Sequence, residues 1–359
     1  MLKSLHVKNF TVFEDAKFEF GPGLNVIVGA NGTGKSQLLK IGYAIESIAE
    51  TSKRGKWSTD ERKELSWGVG VQAVLVNLFL PKQLHDLIRR GAPDEKATIT
   101  AVFSADTTES EPTLKYSILY NEDTKASSEI EGVPQRLAGD FAAPVLLPTK
   151  EILSFYRGFG SILRKYELQF DRSYLDLWDA LGLPLLRNPP AIVKELIEPV
   201  MQGRVVLEGE EFYFYPLNGE RLAINMAAEG IRKLGMLSVL LANGSLTPDT
   251  TLFWDEPEAN LNPQLIKKLA EILVLLARQK FQIILATHSL FLMRELHILS
   301  KEAPTPIQYF GLTGGQMGEP TTVETADELF MLPGIVALDA EMEQADTFLD
   351  VLNQDDAGI

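Results

Sequence analysis

The sequence predicts an α/β fold of the P-loop nucleotide-binding kind, and three observations carry that prediction. Residues 29–36 read GANGTGKS directly after the apolar run Leu24, Val26, Ile27 and Val28. A second short apolar strand candidate, residues 251–254, ends in Asp255-Glu256-Pro257-Glu258. A third, residues 283–286, ends in Thr287-His288-Ser289.

Taken in chain order, the first elements are two strands, residues 4–10 and 16–20, followed by a turn at Gly21-Pro22-Gly23. After the phosphate-loop strand, Leu38, Leu39, Ile41, Ala44, Ile45 and Ile48 recur at helical spacing and predict a helix over residues 37–48. Residues 51–62 are polar and irregular and read as an exposed loop. Residues 66–90 read as two helices broken at Pro81; residues 98–103 and 114–119 are rich in β-formers. Residues 141–148 are a further strand candidate. From 150 to 199 the pattern is helical, interrupted at Pro184, Pro189 and Pro190, and residues 204–207 and 211–215 suggest a hairpin. Beyond residue 222 the chain alternates helix, strand, helix and strand. No internal repeat and no heptad run long enough for a coiled-coil arm is visible.

The octapeptide fits G-x-x-x-x-G-K-[ST] in its proper setting, between a strand and a helix. Its glycines let the backbone curl so that successive N–H groups point at phosphates. Gly29, Asn31, Gly32, Thr33, Gly34, Lys35, Ser36 and Gln37 are therefore the expected nucleotide contacts. Lys35 adds a charge for the β- and γ-phosphates, and the Ser36 hydroxyl can ligate Mg²⁺. Asp255, at the end of a buried strand beside the P-loop strand, is the expected second metal ligand. Glu256 is then placed to polarise a water attacking the γ-phosphate. Of the four histidines, His6, His85, His288 and His297, only His288 follows a strand in this way. Its imidazole can hydrogen-bond the γ-phosphate and hold that water.

Composition bounds the rest. At 359 residues, with 45% hydrophobic and 23% charged, the chain suits one large α/β domain with an insertion, or two modest domains. The run at 74–80 is too short to span a bilayer, the N-terminus lacks the apolar stretch of a secretory signal, and cysteine is absent. A cytoplasmic location away from membranes is expected, without disulfides or thiolate metal sites. A net charge of −15 argues against a nucleic-acid clamp over the whole surface. Two local basic clusters stand out: Lys53, Arg54, Lys56, Arg62 and Lys63, and Lys150, Arg157, Arg164, Lys165 and Arg172.

A P-loop, a long insertion, DEPEANLNP and then ATHS together resemble an ABC-type ATPase head, most closely the OLD, RecF and SMC-like group often labelled AAA family ATPases. The opening LKSLHVKNFTVFEDAKFEFGPGLNVIVGANGTGKS is similar to the start of such heads. The resemblance is specific over residues 1–45 and 222–296. It implies a mixed sheet core with helices and a large α+β insertion between Walker A and the signature and Walker B motifs. The expected division is a core lobe at 1–50, an inserted α/β segment at 51–140, a helical lid with a hairpin at 141–220, the remaining core at 221–335 and an acidic tail at 336–359. It also implies ATP and Mg²⁺ as cofactors and a head that closes on ATP as a dimer. Lys35 and Ser36 would take Walker A roles, Asp255 the Walker B metal role, Glu256 the catalytic base and His288 the switch position. Residues 259–262 would form the D-loop.

The matching signature is 227–233, AAEGIRK, and the resemblance implies that Ala228, Glu229 and Gly230 face the nucleotide of the opposite subunit. Ala228 stands where the family usually places serine, so one hydroxyl is missing; backbone N–H groups at a helix N-terminus remain, and Arg232 or Lys233 can supplement them. Dimerisation is expected to survive and hydrolysis to be slow. Asn262 replaces the usual histidine of DEPExxLHP and receives no role. No Q-loop glutamine is evident; Thr149 and Lys150 stand in its region.

Two functions compete. One is the ATPase subunit of a defence system such as Septu PtuA, with an effector nuclease or toxin in trans, since the stretch after the histidine motif is expected to leave no room for the Toprim nuclease of OLD proteins. The acidic tail carries Leu338, Met342, Ala345, Phe348 and Leu352 at helical spacing, as a partner-docking or self-packing helix. The other is a RecF-like repair head that binds DNA. A transporter ATPase fits poorly, lacking a full LSGGQ and a clear adenine-stacking aromatic.

Overall fold

The computed structural model describes residues 1–53, 62–92, 96–104, 111–121, 125–131, 142–166, 168–314, 319–332, 340 and 343–349. Its first sheet is built from strands that bury every second or third residue. Strand β1 (Leu2–Phe10) buries Leu2, Leu5, Val7 and Phe10, and β2 (Phe13–Glu19) buries Phe13, Ala16 and Phe18. With β4 (Lys96–Phe103), β5 (Thr113–Asn121) and β6 (Lys125–Glu131) they form an antiparallel sheet in the order β2-β1-β4-β5-β6. Residues 96–131 thus extend the sheet begun by the N-terminal strands.

The three motif strands lie in a second, mixed sheet. Its order is β14 (Thr322–Ala326), β13 (Ile307–Thr313), β3 (Leu24–Gly29), β12 (Gln282–Thr287), β11 (Thr251–Asp255) and β7 (Val145–Leu147). Every neighbouring pair is parallel except β13 with β14. One face, with Ile27, Phe253, Ile284, Ala286 and Phe310, packs with α1 (Lys35–Lys53), α2 (Arg62–Phe79) and the apolar side of the first sheet. The other, with Val26, Val28, Leu252, Trp254 and Leu285, packs with α6 (Glu229–Ala242), α7 (Pro263–Arg278) and α8 (Leu290–Glu302). Burial on both faces is why these strands read as continuous apolar runs.

Between β7 and α6 lie α3 (Phe159–Tyr166), α4 (Arg172–Leu181), a π-helical turn (Val193–Ile197), α5 (Glu198–Met201), and a small antiparallel sheet of β8 (Gly203–Glu208), β9 (Glu211–Pro216) and β10 (Leu222–Ala223). Helix α4 is tied to α1 by Lys40 with Asp171 at 2.6 Å and by the Tyr43 hydroxyl donating to Asp176 at 2.7 Å.

Several local expectations change. Helix α1 runs on to Lys53 and α2 starts at Arg62, so both ends of the expected 51–62 loop are helical, and residues 54–61 lie outside the described ones. Residues 66–90 give one helix, then a single 3-10 turn (Leu84–Leu87), because Leu80 takes φ 50 and Pro81 offers no N–H to continue the ladder. Only Val145–Leu147 of the 141–148 candidate pairs as a strand, and residues 182–190 around the prolines are not helical. Strands β6, β10, β13 and β14 went unrecognised. The tail's Leu338, Met342 and Leu352 lie outside the described residues, while Ala345 and Phe348 sit on an exposed helical stretch at 343–349.

At the end of the sheet away from the motifs, Glu46 of α1 is buried against the β11–β12 pair. The Thr251 hydroxyl lies 3.0 Å from both Glu46 Oε1 and Gln282 Oε1 and has one proton to give. A protonated Glu46 can donate back to Thr251, which satisfies the triad. Burial accordingly lifts this carboxyl to about 7, against opposing pulls from the amino terminus, Thr251 and the Leu2 N–H. Because the folded carboxyl holds its proton more tightly than the unfolded one, its contribution is complete below about 4.5 and is lost as pH rises through about 7, a change of roughly 3 kcal/mol. Glu46→Gln, whose amide donates at any pH, is expected to raise the urea midpoint at pH 8 and flatten its fall between pH 5 and 8; an unchanged pH profile would refute the assignment.

Candidate functional site

Parallel register brings the motifs together. Strand β12 sits between β3 and β11, with Ala286 opposite Ile27 on one side and Asp255 on the other, and Thr287 opposite Val28. The P-loop, the acidic turn and His288 therefore leave the same sheet edge at one level. Asp255 stands two strands from the P-loop strand rather than beside it, the gap being filled by the strand that carries His288.

In the loop, Gly32 and Gly34 take φ +89 and +95, and a Cβ at Gly34 would meet Val12 Cγ2 at 2.6 Å and Phe13 Cζ at 2.8 Å. Only glycine accommodates both the left-handed backbone and that approach. The Thr33 hydroxyl donates to Ala30 O at 2.9 Å, and Thr321 donates to Thr33 O at 3.1 Å, fixing the loop from within and from β14's approach. Lys35 Nζ donates to Gly29 O at 2.7 Å and Ala30 O at 3.0 Å. Two of its three protons hold the loop and the third remains for a ligand. Burial lowers the Lys35 ammonium, opposed by the carboxylates of Glu256, Asp255 and Glu258. Asn31, Gly32 and Ser36 are exposed at the mouth, and Gln37 Oε1 is buried without a partner among the described residues.

On the facing side, Asp255 Oδ2 accepts from Thr149 Oγ1 at 3.3 Å, and the Ser36 hydroxyl lies near enough to favour the ionised carboxylate. Asp255 Oδ1 is buried with no partner among the described residues. Burial raises this carboxyl, with Ser36, Thr149 and Lys35 pulling the other way. An orphaned carboxylate oxygen beside a serine hydroxyl is a hard oxygen donor set that fits Mg²⁺. Glu256 takes φ +46, a left-handed turn that a non-glycine residue adopts at a cost. The turn is pinned by its N–H to Ala286 O at 2.9 Å, and it aims Glu256 Oε1 at His288 Nδ1, 3.1 Å away. The His288 side chain is half exposed. Ser289 caps α8 by accepting from Leu292 N, holding the histidine at the start of that helix.

The signature segment opens α6 as expected. Ala228 is its N-cap with no capping side chain, leaving the first-turn N–H groups free for an acceptor. A Cβ on Gly230 would strike Leu265 Cδ1 at 2.7 Å, so this glycine lets α6 lie against the start of α7. Glu229, in the first turn of α6, accepts from Asn260 Nδ2 at 2.9 Å.

Other residues differ from their expected places. Arg232 and Lys233 do not reach for a phosphate: Arg232 bonds Glu151 and Ala227 O, and Lys233, almost fully buried, donates to Ala259 O at 2.7 Å and Glu256 O at 3.3 Å. Asn262 gains a role, capping α7 by accepting from Leu265 N. In the second basic cluster, Arg157, Arg164 and Arg172 pair with Glu211, Asp179 and Asp176. Side chains of the first cluster lie outside the described ones. Glu151 and Glu258 were missed. Glu258 is buried and accepts from Thr287 Oγ1 at 2.6 Å; burial raises its carboxyl, opposed by Thr287. The third carboxylate of Asp255-Glu256-Pro257-Glu258 is the available signal for it.

Over 40 residues the chain is 50% identical to the DNA double-strand break repair Rad50 ATPase of Archaeoglobus fulgidus, covering 11% of this chain and 4% of that protein. Over 66 residues it is 35% identical to the DNA replication and repair protein RecF of Lactococcus lactis subsp. lactis, covering 18% and 17%. The chain thus aligns with only a small part of either relative. Among solved structures, an SMC head bound to the C-winged helix domain of ScpA superposes with a TM-score of 0.54 at 16% identity, covering 91% of this chain and 97% of that one. The SMC head of Pyrococcus furiosus with an extended coiled coil, bound to the C-terminal domain of ScpA, gives 0.54 at 14%, covering 98% and 99%. At such identity the likeness shows the fold alone, that of an SMC head domain. The sequence profile described as "AAA domain, putative AbiEii toxin, Type IV TA system" matches residues 24–294, most of the chain, and the protein belongs to that family.

Proposed function

We propose that the chain binds ATP with Mg²⁺, dimerises on it, hydrolyses it slowly, and serves as the regulatory subunit of a prokaryotic anti-phage defence system whose effector nuclease or toxin is supplied in trans. The observation that supports this most is the meeting of the P-loop, Asp255, Glu256 and His288 at one sheet edge. In this reading the loop N–H groups, Lys35 and Ser36 bind the phosphates, and Ser36 and Asp255 hold the metal, which supplies charge neutralisation of the phosphates. Glu256 takes the proton of the attacking water, with His288 holding its carboxylate in place. The signature N–H groups at Ala228, Glu229 and Gly230 of a second copy cap the γ-phosphate. Slow turnover follows from the missing hydroxyl at Ala228 and from the Glu229 carboxylate beside that cap.

The defence assignment draws on the family description, which names a putative AbiEii toxin and a type IV toxin–antitoxin system. A cytoplasmic location belongs to the same reading; no helix among the described residues is long and apolar enough to cross a membrane. The division at 50, 140, 220 and 335 stays part of this proposal.

A second reading, a RecF-like head that binds DNA, is favoured by one observation. Lys82, His85, Arg89 and Arg90, with one acid, Asp86, line an open cavity of about 740 Å³ beside Tyr120, whose ring lies 4.5 Å from His85; Arg89 also pairs with Glu14 at 3.4 Å. Basic groups around a stackable aromatic suit a nucleic-acid strand.

Lys35→Ala is expected to weaken ATP binding at least about tenfold in equilibrium titrations, since a charged hydrogen bond to phosphate is lost; unchanged affinity would sink the phosphate-cradle assignment. Glu256→Gln should keep ATP binding and accumulate a dimer in size-exclusion chromatography with ATP and Mg²⁺, and a persistent monomer would count against ATP-driven closure. For the second reading, the double variant Lys82→Glu, Arg90→Glu should weaken salt-dependent DNA binding about tenfold or more and reduce its salt slope; no DNA binding by the parent protein at 50 mM salt, on the order of the lowest ionic strengths used for such complexes, would dismiss it.

A further inference from the structure

We propose that Glu258 and Thr287 are positioning residues for the hydrolysis proposed above, holding the His288 imidazole against Glu256 through a closed circuit of contacts. The inference rests on the roles given there to Glu256 and His288, and adds the two residues that fix how they meet. Thr287 ends β12 fully buried, and its hydroxyl donates to Glu258 Oε1 at 2.6 Å. With its single proton given to the carboxylate, the same oxygen presents its lone pairs to the Ser289 N–H, which donates to it at 3.0 Å. That bond closes a turn whose middle residue is His288. His288 Nδ1 lies 3.1 Å from Glu256 Oε1. Glu256 leads back to Glu258 along one turn, in which Ala259 N donates to Glu256 O at 3.1 Å and Leu261 N donates to Glu258 O at 3.0 Å. Every link of the circuit is a direct hydrogen bond or the covalent backbone.

The circuit decides which imidazole nitrogen carries the proton. Glu256 acts as a base only while ionised, and an ionised carboxylate only accepts, so Nδ1 is the donor of the 3.1 Å contact. In the neutral ring this leaves Nε2 without a proton. The hydroxyl of Thr287 and the carboxylate of Glu258 are both out of water, so no solvent molecule substitutes when either partner is removed. Without the Glu258 acceptor, the hydroxyl is free to rotate away from its alignment with Ser289 N. Without the hydroxyl, the turn around His288 opens. Either change releases the imidazole from Glu256, and a misplacement of about 1 Å in such a site costs up to roughly a hundredfold in rate.

The test uses the full chain and reads two quantities: the tautomer of His288, from ring-nitrogen resonances of protein isotope-labelled at histidine, and ATP turnover as a function of ATP concentration. Of the four histidines, His288 is identified by the signal that His288→Asn removes. The parent protein should show the Nδ1–H ring. Thr287→Val, which keeps the side-chain shape, should shift His288 toward Nε2–H and lower kcat about tenfold or more while KM stays within about twofold. Glu258→Met, which removes the acceptor at similar length, should do the same, and covers the case of a valine variant that fails to fold. Thr287→Ser and Glu258→Gln, which keep a hydroxyl and an acceptor, should retain the parent tautomer and a kcat within about threefold of the parent. A folded Thr287→Val or Glu258→Met with the parent tautomer overturns the proposal, whether kcat is kept or falls, because a fall without a tautomer change marks a merely structural role. A parent that binds ATP without turning it over overturns the hydrolysis reading instead, and the tautomer comparison still decides whether Glu258 and Thr287 hold His288.

Discussion

Because β12 is hydrogen-bonded in parallel to β3 on one side and to β11 on the other, a single register sets the height of three strand ends. A slip of one residue in either pairing would turn the apolar faces over and carry Asp255 or Thr287 away from the P-loop. The alternation that forbids this slip is strong: Ile27, Phe253 and Ile284 belong to one apolar layer, and Val26, Leu252 and Leu285 to the other. The geometry of the site is thus a by-product of a two-sided core, and its precision comes from packing far from the chemistry.

Charge is concentrated at that edge under partial desolvation. Lys35 and Lys233 are buried cations held by backbone carbonyls, and Asp255 and Glu258 are buried carboxyls that burial pushes toward the neutral form. Such groups are costly in isolation and stabilise one another only when their positions are kept. The proposed nucleotide and metal would place negative phosphates beside Lys35 and positive charge beside Asp255. Preorganised groups of this kind need little movement to act.

The signature helix connects this edge to whatever lies opposite. Its first turn offers N–H groups outward at Ala228 and anchors inward through Arg232 and Lys233. Those two cations looked available for a phosphate when read along the chain. The structure commits them to the protomer's own walls, so the outward face depends on backbone donors and on a carboxylate, Glu229, that disfavours an anion.

The sequence by itself determined the motifs, the α/β class and the strand character of residues 24–28, 251–255 and 283–286, because each rests on local spacing: glycines where a loop must curl, apolar runs where both faces are buried, polar residues at strand ends. Strand order was not local. That β12 separates β3 from β11, that residues 96–131 join the N-terminal sheet, and that β13 and β14 complete the second sheet depend on hydrogen bonds between segments far apart in the chain. The partners of Glu151, Glu46 and Lys233 were hidden for the same reason: an acid or a lysine reads as surface until tertiary structure supplies the buried group it faces. Local propensity set the pieces, and only packing at long range decided which charges would be taken out of water together.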